Sequence, residues 1–167
     1  MYWRIGPGYY KRKPGANRSA FHALVRSGPP PGLIAVSGKV GLGWCQLPPR
    51  SDLPWLDRWW GLRCVDREPA WSISCFYVRK GHRKKGVSRQ LLQAAIETAR
   101  RNWVRLLEAY PLDARFTDKT ASFTGYVSTF RRAGFKVVVR HVRTQPIMCL
   151  DLRAKVQQAR ASRPTPE

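Results

Sequence analysis

Residues 75–92 read CFYVRKGHRKKGVSRQLL. An apolar run ends at Val78, a glycine-containing loop with Arg79, Lys80, Arg83, Lys84 and Lys85 follows, and an amphipathic run then opens. WSISCFYV predicts a strand over 71–78, and Leu91, Leu92, Ala95, Ile96 and Ala99 at helical spacing predict a helix over 88–103. A strand that turns through glycine into a helix makes an anion site by geometry. The first N–H groups of the helix lack intrahelical partners and lie at the positive end of its dipole. Gly86 permits a close approach or a positive φ, Ser88 adds a hydroxyl donor, and Arg83, Lys84, Lys85 and Arg89 supply charge around the same point. A pyrophosphate suits this arrangement better than a single carboxylate. The sequence holds neither G-x-x-x-x-G-K-[ST] nor, at this turn, G-x-G-x-x-G, which argues against a Walker loop and a dinucleotide fingerprint.

The charge around this stretch is not what sets it apart. The 167 residues hold 31 Lys and Arg against 10 Asp and Glu, a formal charge of +21, so polyanions and phosphorylated ligands are natural partners throughout. Basic residues recur as Lys11-Arg12-Lys13, Arg100-Arg101 and Arg131-Arg132, dispersed rather than in one tract, as on an ordinary solvated surface. With 43% hydrophobic residues the chain can bury one continuous core, and a single domain over 1–153 with a flexible tail over 154–167 is expected. Cys45, Cys64, Cys75 and Cys149 form no C-x-x-C pair and read as reduced core residues. The start, MYWRIGPGYYKRK, lacks an apolar signal region, and no run approaches the ~18 apolar residues of a membrane span. A cytoplasmic location is the resulting expectation.

Working outward, residues 1–16 read as an irregular leader, and 17–26 as a short helix with Asn17 as N-cap and Phe21, Leu24 and Val25 on one side. LIAVSGKVGLGWCQL is a hairpin signal, with strands over 33–36 and 40–47 around Ser37-Gly38-Lys39. The segment over 48–70 is rich in Pro and Trp; Trp55, Trp59 and Trp60 either plug the core or wall a pocket, the former being the default for large aromatics. VRLLEAYPL reads as a strand, FTGYVSTFRRAGF as a short helix capped by Gly134, and KVVVRHV and PIMCLDL as two last strands. The order predicts an α/β fold, a mixed sheet covered by helices.

The spacing Arg83-x-x-Gly86-x-Ser88, between a strand and a Leu-Leu helix, resembles the Q/R-x-x-G-x-G/A signature of the GNAT acetyltransferase superfamily. STFRRAGF is similar to its late LYEKxGF element and GLIAVSGKVGLGWC to its early hairpin, so the resemblance spans about 30–152. It implies a mixed, mostly antiparallel sheet, splayed between the 71–78 strand and VRLLEAYPL and flanked by helices, with acetyl-CoA as co-substrate. It places Phe76, Tyr77 and Val78 along the pantetheine arm and gives the pyrophosphate to Arg83, Lys84, Lys85, Gly86, Val87, Ser88 and Arg89. Two positions depart from the pattern. Ser88 replaces the final Gly or Ala, and Phe130 stands where many members have the Tyr that protonates the leaving thiolate. The family's first strand is not identifiable, MYWRI being its one candidate remnant.

The implied reaction is transfer of an acetyl group to an amine of a small molecule or protein. Deprotonating an alkyl amine at pH 7 costs about 4 to 5 kcal/mol, so a nearby base or water relay is useful. Glu108, mid-strand in LLEAYP, is the candidate base; pairing with an arginine is the competing reading. Tyr126, one helical turn before Phe130, is the candidate acid, with Tyr110 behind it. His22, His82 and His141 are isolated from one another, so no metal site is expected. Two alternatives stay open: a basic nucleic-acid-binding module, carried by charge alone, and a CoA-binding domain without catalysis, motivated by Phe130. The acceptor is not legible, and a homodimer is left open.

Overall fold

The computed structural model describes residues 2–63, 68–117 and 123–153. Three helices open the chain: α1 (Tyr2–Ile5), α2 (Gly8–Lys11) and α3 (Ala16–Ser27). The hairpin β1 (Gly32–Ser37) and β2 (Val40–Gln46) follows, then α4 (Trp55–Arg58) between two 3-10 turns. Next come β3 (Ala70–Ile73), β4 (Phe76–Val78), α5 (Val87–Arg101), β5 (Leu106–Ala109), α6 (Val127–Arg132), β6 (Lys136–Val142) and β7 (Gln145–Asp151).

The strands form two sheets, ordered β1-β2-β4 and β3-β5-β7-β6, antiparallel except for the parallel pair β3–β5. The expected single strand over 71–78 is therefore two. Its first half pairs with β5, ending at Ile73 opposite Ala109, and its second half pairs with β2, with Phe76 opposite Cys45. Ser74 and Cys75 carry the chain from one sheet to the other. β4 and the continuation of β5 diverge from that point, which is the splay the family resemblance implies.

Each face of the β3–β5–β7 region has its own apolar core. On one, α5 contributes Val87, Leu91, Leu92, Ala95, Ile96 and Ala99, which meet Cys45, Ile73, Leu107, Phe130 and Met148. That helix lies close to β2 because residue 43 is glycine. A Cβ there would stand 3.0 Å from Val87 and 3.2 Å from Leu91. On the other face, Trp3, Leu53, Leu56, Leu62, Tyr110 and Ile147 form a second cluster.

That second cluster corrects several expectations. Residues 2–11 form two one-turn helices rather than an irregular leader, and Trp3 is buried; Tyr2–Ile5 of the candidate first strand is helical. In the Pro/Trp-rich segment the leucines plug the core, while Trp55 packs at the edge of the cluster, Trp60 is 61% exposed and Trp59 stands near the surface. Asn17 lies inside the first turn of α3, whose N-cap is Gly15, and its side-chain amide donates to Tyr9 O at 2.8 Å. Gly134, at φ +95°, follows α6 as the expected left-handed stop. Cys45 is fully buried and burial pushes its thiol up, while Cys75 and Cys149 are half-buried; Cys64 and the tail over 154–167 lie outside the described residues.

Candidate active site

The loop between β4 and α5 has the geometry that residues 75–92 suggested. Gly81, Lys84 and Gly86 all have positive φ, at 89°, 60° and 81°. Lys84 is one of two non-glycine residues among those described in that region, a conformation that L residues adopt only where the surroundings impose it. Gln90 is the first residue of α5 to close an intrahelical bond, to Gly86 O at 3.0 Å, which leaves the N–H groups of Val87, Ser88 and Arg89 without helical acceptors. A Cβ on Gly86 would meet nothing within 4 Å, so the approach to these donors is open. Val87 turns into the core; Lys84, Lys85, Ser88 and Arg89 are exposed around the helix start. Arg83 Nε donates to Val78 O at 3.1 Å and so ties the loop to the end of β4.

β4 presents an edge toward the splay that pairs with no other strand. Its odd-numbered neighbours are bound to β2, since Gln46 N donates to Cys75 O and Arg79 N to Leu42 O, both at 2.9 Å. By alternation, the N–H and C=O groups of Phe76 and Val78 point the other way. Phe76 N donates to Phe123 O, and Leu112 N donates to Gly125 O at 2.9 Å, so the segment before α6 lies between the diverging strands. The side chain of Phe76 enters the core and that of Tyr77 is 56% exposed.

Glu108 and Tyr110 lie one residue either side of Ala109, which closes the β3–β5 pairing at the root of the splay. Both are buried, on the face opposite α5. The Glu108 carboxylate accepts from Arg50 Nη1 at 2.7 Å and from the Tyr110 hydroxyl at 3.0 Å. Arg50 also donates to the Tyr110 oxygen, to Asp57 at 2.6 Å and to Leu62 O at 2.8 Å, and Ser72 Oγ lies 3.3 Å from the Tyr110 oxygen. Burial pushes the Glu108 carboxyl up from its ordinary value, and Arg50 and Tyr110 oppose it. Burial, then the Glu108 charge, raise Tyr110 well above the usual range, so its hydroxyl stays a donor. Arg50 is the partner that sequence reasoning missed; a single arginine in a Pro-rich loop carries no local signal of where its side chain goes.

Phe130 is fully buried, edge-on to Phe135 at 5.1 Å and tilted against Phe76 at 6.1 Å. Tyr126 is half-buried and is the N-cap residue of α6 rather than a helical residue a turn earlier, and Leu112 forms a parallel bridge with it. It lines a cleft with Leu112, Arg115 and Ser128. The structure thus brings Glu108 together with Tyr110 and sets Tyr126 beyond them, past Leu112.

The family model of the GNAT acetyltransferases matches residues 1–117. The chain belongs to this family. Solved structures agree on the fold. An N-acetyltransferase from Staphylococcus aureus Mu50 is 19% identical, with 84% of this chain and 78% of that one covered and a TM-score of 0.54. Ard1 from Thermoplasma volcanium is 14% identical, with coverage of 80% and 78% and a TM-score of 0.51. yncA from Salmonella typhimurium, with its cofactor acetyl-CoA, is 23% identical, with coverage of 81% and 72% and a TM-score of 0.50. No curated protein matches the sequence. In this GNAT chain a strand, a glycine loop and a helix stand where the resemblance puts the signature, with Ser88 at its final position, and Phe130 lies in the core. No helix is long and apolar enough to cross a membrane, and no group of three or more His, Cys, Asp or Glu could hold a metal ion, both among the described residues.

A second buried acid follows β5. The Asp113 carboxylate accepts from Arg115 at 3.0 and 2.8 Å and from Arg140 at 2.6 Å, and these guanidinium groups hold it well below the usual carboxylate range. A depressed folded-state value stabilises the fold above the ordinary value of 3.8, and the contribution is lost as pH falls below it. Urea midpoints measured from pH 6 down to about 3 are expected to drop more steeply for the wild type than for Asp113→Asn. Equal slopes would show that the carboxylate does not carry this charge in the fold.

Proposed function

We propose that this GNAT protein transfers an acetyl group from acetyl-CoA to an amine of a small molecule or protein. The observation that carries this reading is the start of α5, where three helical N–H groups without intrahelical acceptors open past Gly86 inside a ring of basic side chains. Val87, Ser88 and Arg89 would supply backbone donors to the pyrophosphate, and Arg83, Lys84 and Lys85 charge. Phe76, Tyr77 and Val78 would line the pantetheine arm, the edge of β4 offering the Phe76 carbonyl and the Val78 N–H to its amides. The acyl end then lies at the root of the splay, where β3 and β5 part.

Glu108 would receive the amine's proton. Enclosed as it is, it does so through the Tyr110 hydroxyl, which links it to Ser72. The raised pKa suits the role, since an acceptor of protons works best when its value moves toward the operating pH. The acetyl carbonyl is attacked by the neutral amine, the C–S bond breaks, and Tyr126 would return a proton to the thiolate that leaves. Phe130 has no proton to give, and its burial leaves that task to another group.

Release of free CoA thiol in the presence of an amine panel tests the reading. Glu108→Gln and Tyr126→Phe are each expected to lower kcat by about 10²-fold or more with little change in acetyl-CoA affinity. The acidic limb of the pH–rate profile is expected to lie above the ordinary glutamate value and to vanish in Glu108→Gln. Variants that keep kcat within about threefold would take these two residues out of the chemistry. A wild type that binds acetyl-CoA but acetylates no amine would favour the binding-only domain.

A further inference from the structure

The cleft beside Tyr126 belongs neither to the loop at α5 nor to the buried Glu108 network. It is a half-open cleft of about 330 Å³ between the segment after β5 and α6, and its lining includes Leu112, Arg115, Tyr126, Ser128, Arg131 and Arg132. That volume is in the range of small-molecule sites. Asp113, the acid at its wall, is 2% exposed and already bound by Arg115 and Arg140. Beside it the Phe116 ring has three guanidinium groups against it, those of Arg115, Arg140 and Arg143, at 5.2, 5.4 and 4.5 Å. Arg140 Nη1 also donates to Arg143 O at 2.8 Å, which fixes its direction.

Arg115 and Arg140 are thus held by one carboxylate and, with Arg143, around one ring; of these Arg115 lines the cleft, where Arg131 and Arg132 add two more cations. Like charges gathered this closely repel one another, and Asp113 offsets one of them. The arrangement is favourable when an anion completes it. The Arg115 guanidinium is preset by the buried carboxylate and the aromatic face, so it can meet a carboxylate or phosphate oxygen at little entropic cost. A solvated surface arginine has no such scaffold. The cleft also adjoins the splay, because Leu112 and Tyr126, which line it, are bridged at the end of the diverging strand.

We infer that this cleft binds an anionic group, a carboxylate or a phosphate, carried by the acceptor, so that the acceptor amine is presented to the splay from a charged anchor. This rests on the acetyl-transfer reading above. The other source of the same chemistry is the 3′-phosphate of CoA, and the test separates the two.

The protein saturated with CoA is titrated with inorganic phosphate while the NMR signal of the Arg115 Nε–H group is followed. A saturable shift in the millimolar range is expected, weakened about tenfold or more by Arg131→Gln with Arg132→Gln. Both side chains are exposed on α6, so the double variant is expected to fold as the wild type does. Its affinity for CoA and for 3′-dephospho-CoA is expected to equal that of the wild type. No saturable shift, or one that the double variant leaves unchanged, overturns the inference. An affinity loss confined to CoA, with 3′-dephospho-CoA unaffected, overturns it too, by assigning the arginines to the cofactor. Should the wild type bind no CoA, the acetyl-transfer reading fails by itself, and the phosphate titration of the free protein still reports on the cleft.

Discussion

Gly86→Val is expected to remove acetyl-CoA binding while leaving the protein folded. The two effects separate because they have different physical sources. In the folded chain residue 86 has φ +81°, where a β-branched residue costs about 1 to 2 kcal/mol. For a domain of this size that lowers Tm by a few degrees, at roughly 2 to 4 °C per kcal/mol. No protein atom lies within 4 Å of the new Cβ, so packing adds nothing to the loss. The same open space is where a phosphate must come to reach the N–H groups of Val87, Ser88 and Arg89, and an isopropyl group stands in its way. An affinity loss of about 100-fold or more is expected, equivalent to ~2.7 kcal/mol. Gly86→Ala, with one carbon in place of three, is expected to fall between. A valine variant that keeps the full thermal shift with acetyl-CoA would show that the ligand does not approach this turn.

The second large effect is on stability, at the face opposite α5. Arg50→Ala leaves Glu108 buried without its counter-charge, removes a bond to the Tyr110 oxygen and strips the donor from Leu62 O. Breaking a buried pair from one side typically costs about 3 to 5 kcal/mol, because the remaining charge has lost both water and partner. A Tm decrease of roughly 6 to 20 °C follows at this chain length. Arg50→Met combined with Glu108→Gln, which removes both charges and keeps the volume, is expected to recover most of it. The cycle of wild type, Arg50→Met, Glu108→Gln and the double variant therefore has a large coupling energy, and calorimetric unfolding of these four proteins measures it. Additive losses would mean that the two groups do not share one buried charge pair. The same pairing bears on the base proposed for catalysis, because a carboxylate held this tightly by Arg50 and Tyr110 acts through Tyr110 or not at all.

Much of this was legible in advance, for reasons that differ from element to element. The 15 residues of α5 announce themselves because a buried stripe repeats over four turns, and the β6–β7 pair because its strands are long and apolar. The turn at Gly86, proposed above as an anion site, was readable because a strand, a glycine and a helix produce its backbone geometry locally. Residues 71–78 mislead, since every position is compatible with one strand; the break at Ser74 and Cys75 comes from competition between β2 and β5 for pairing, which no local pattern records. The one-turn helices at the start are too short to show a period, and they exist because Trp3 packs against Leu53 and Leu56. For the same reason Arg50 was invisible as the partner of Glu108, 58 residues away. Asp113 offered a faint signal, an acid shortly after a strand in a very basic chain, and its pairing with Arg140, 27 residues away, needed the fold to assemble it.

Calorimetric titration of the wild-type protein with acetyl-CoA bears most directly on the pyrophosphate cradle proposed at the start of α5. Saturable one-to-one binding, abolished by Gly86→Val in a protein that still unfolds cooperatively, is the predicted result. Absence of binding heat and of any thermal shift at millimolar acetyl-CoA, with the wild type folded, would contradict it.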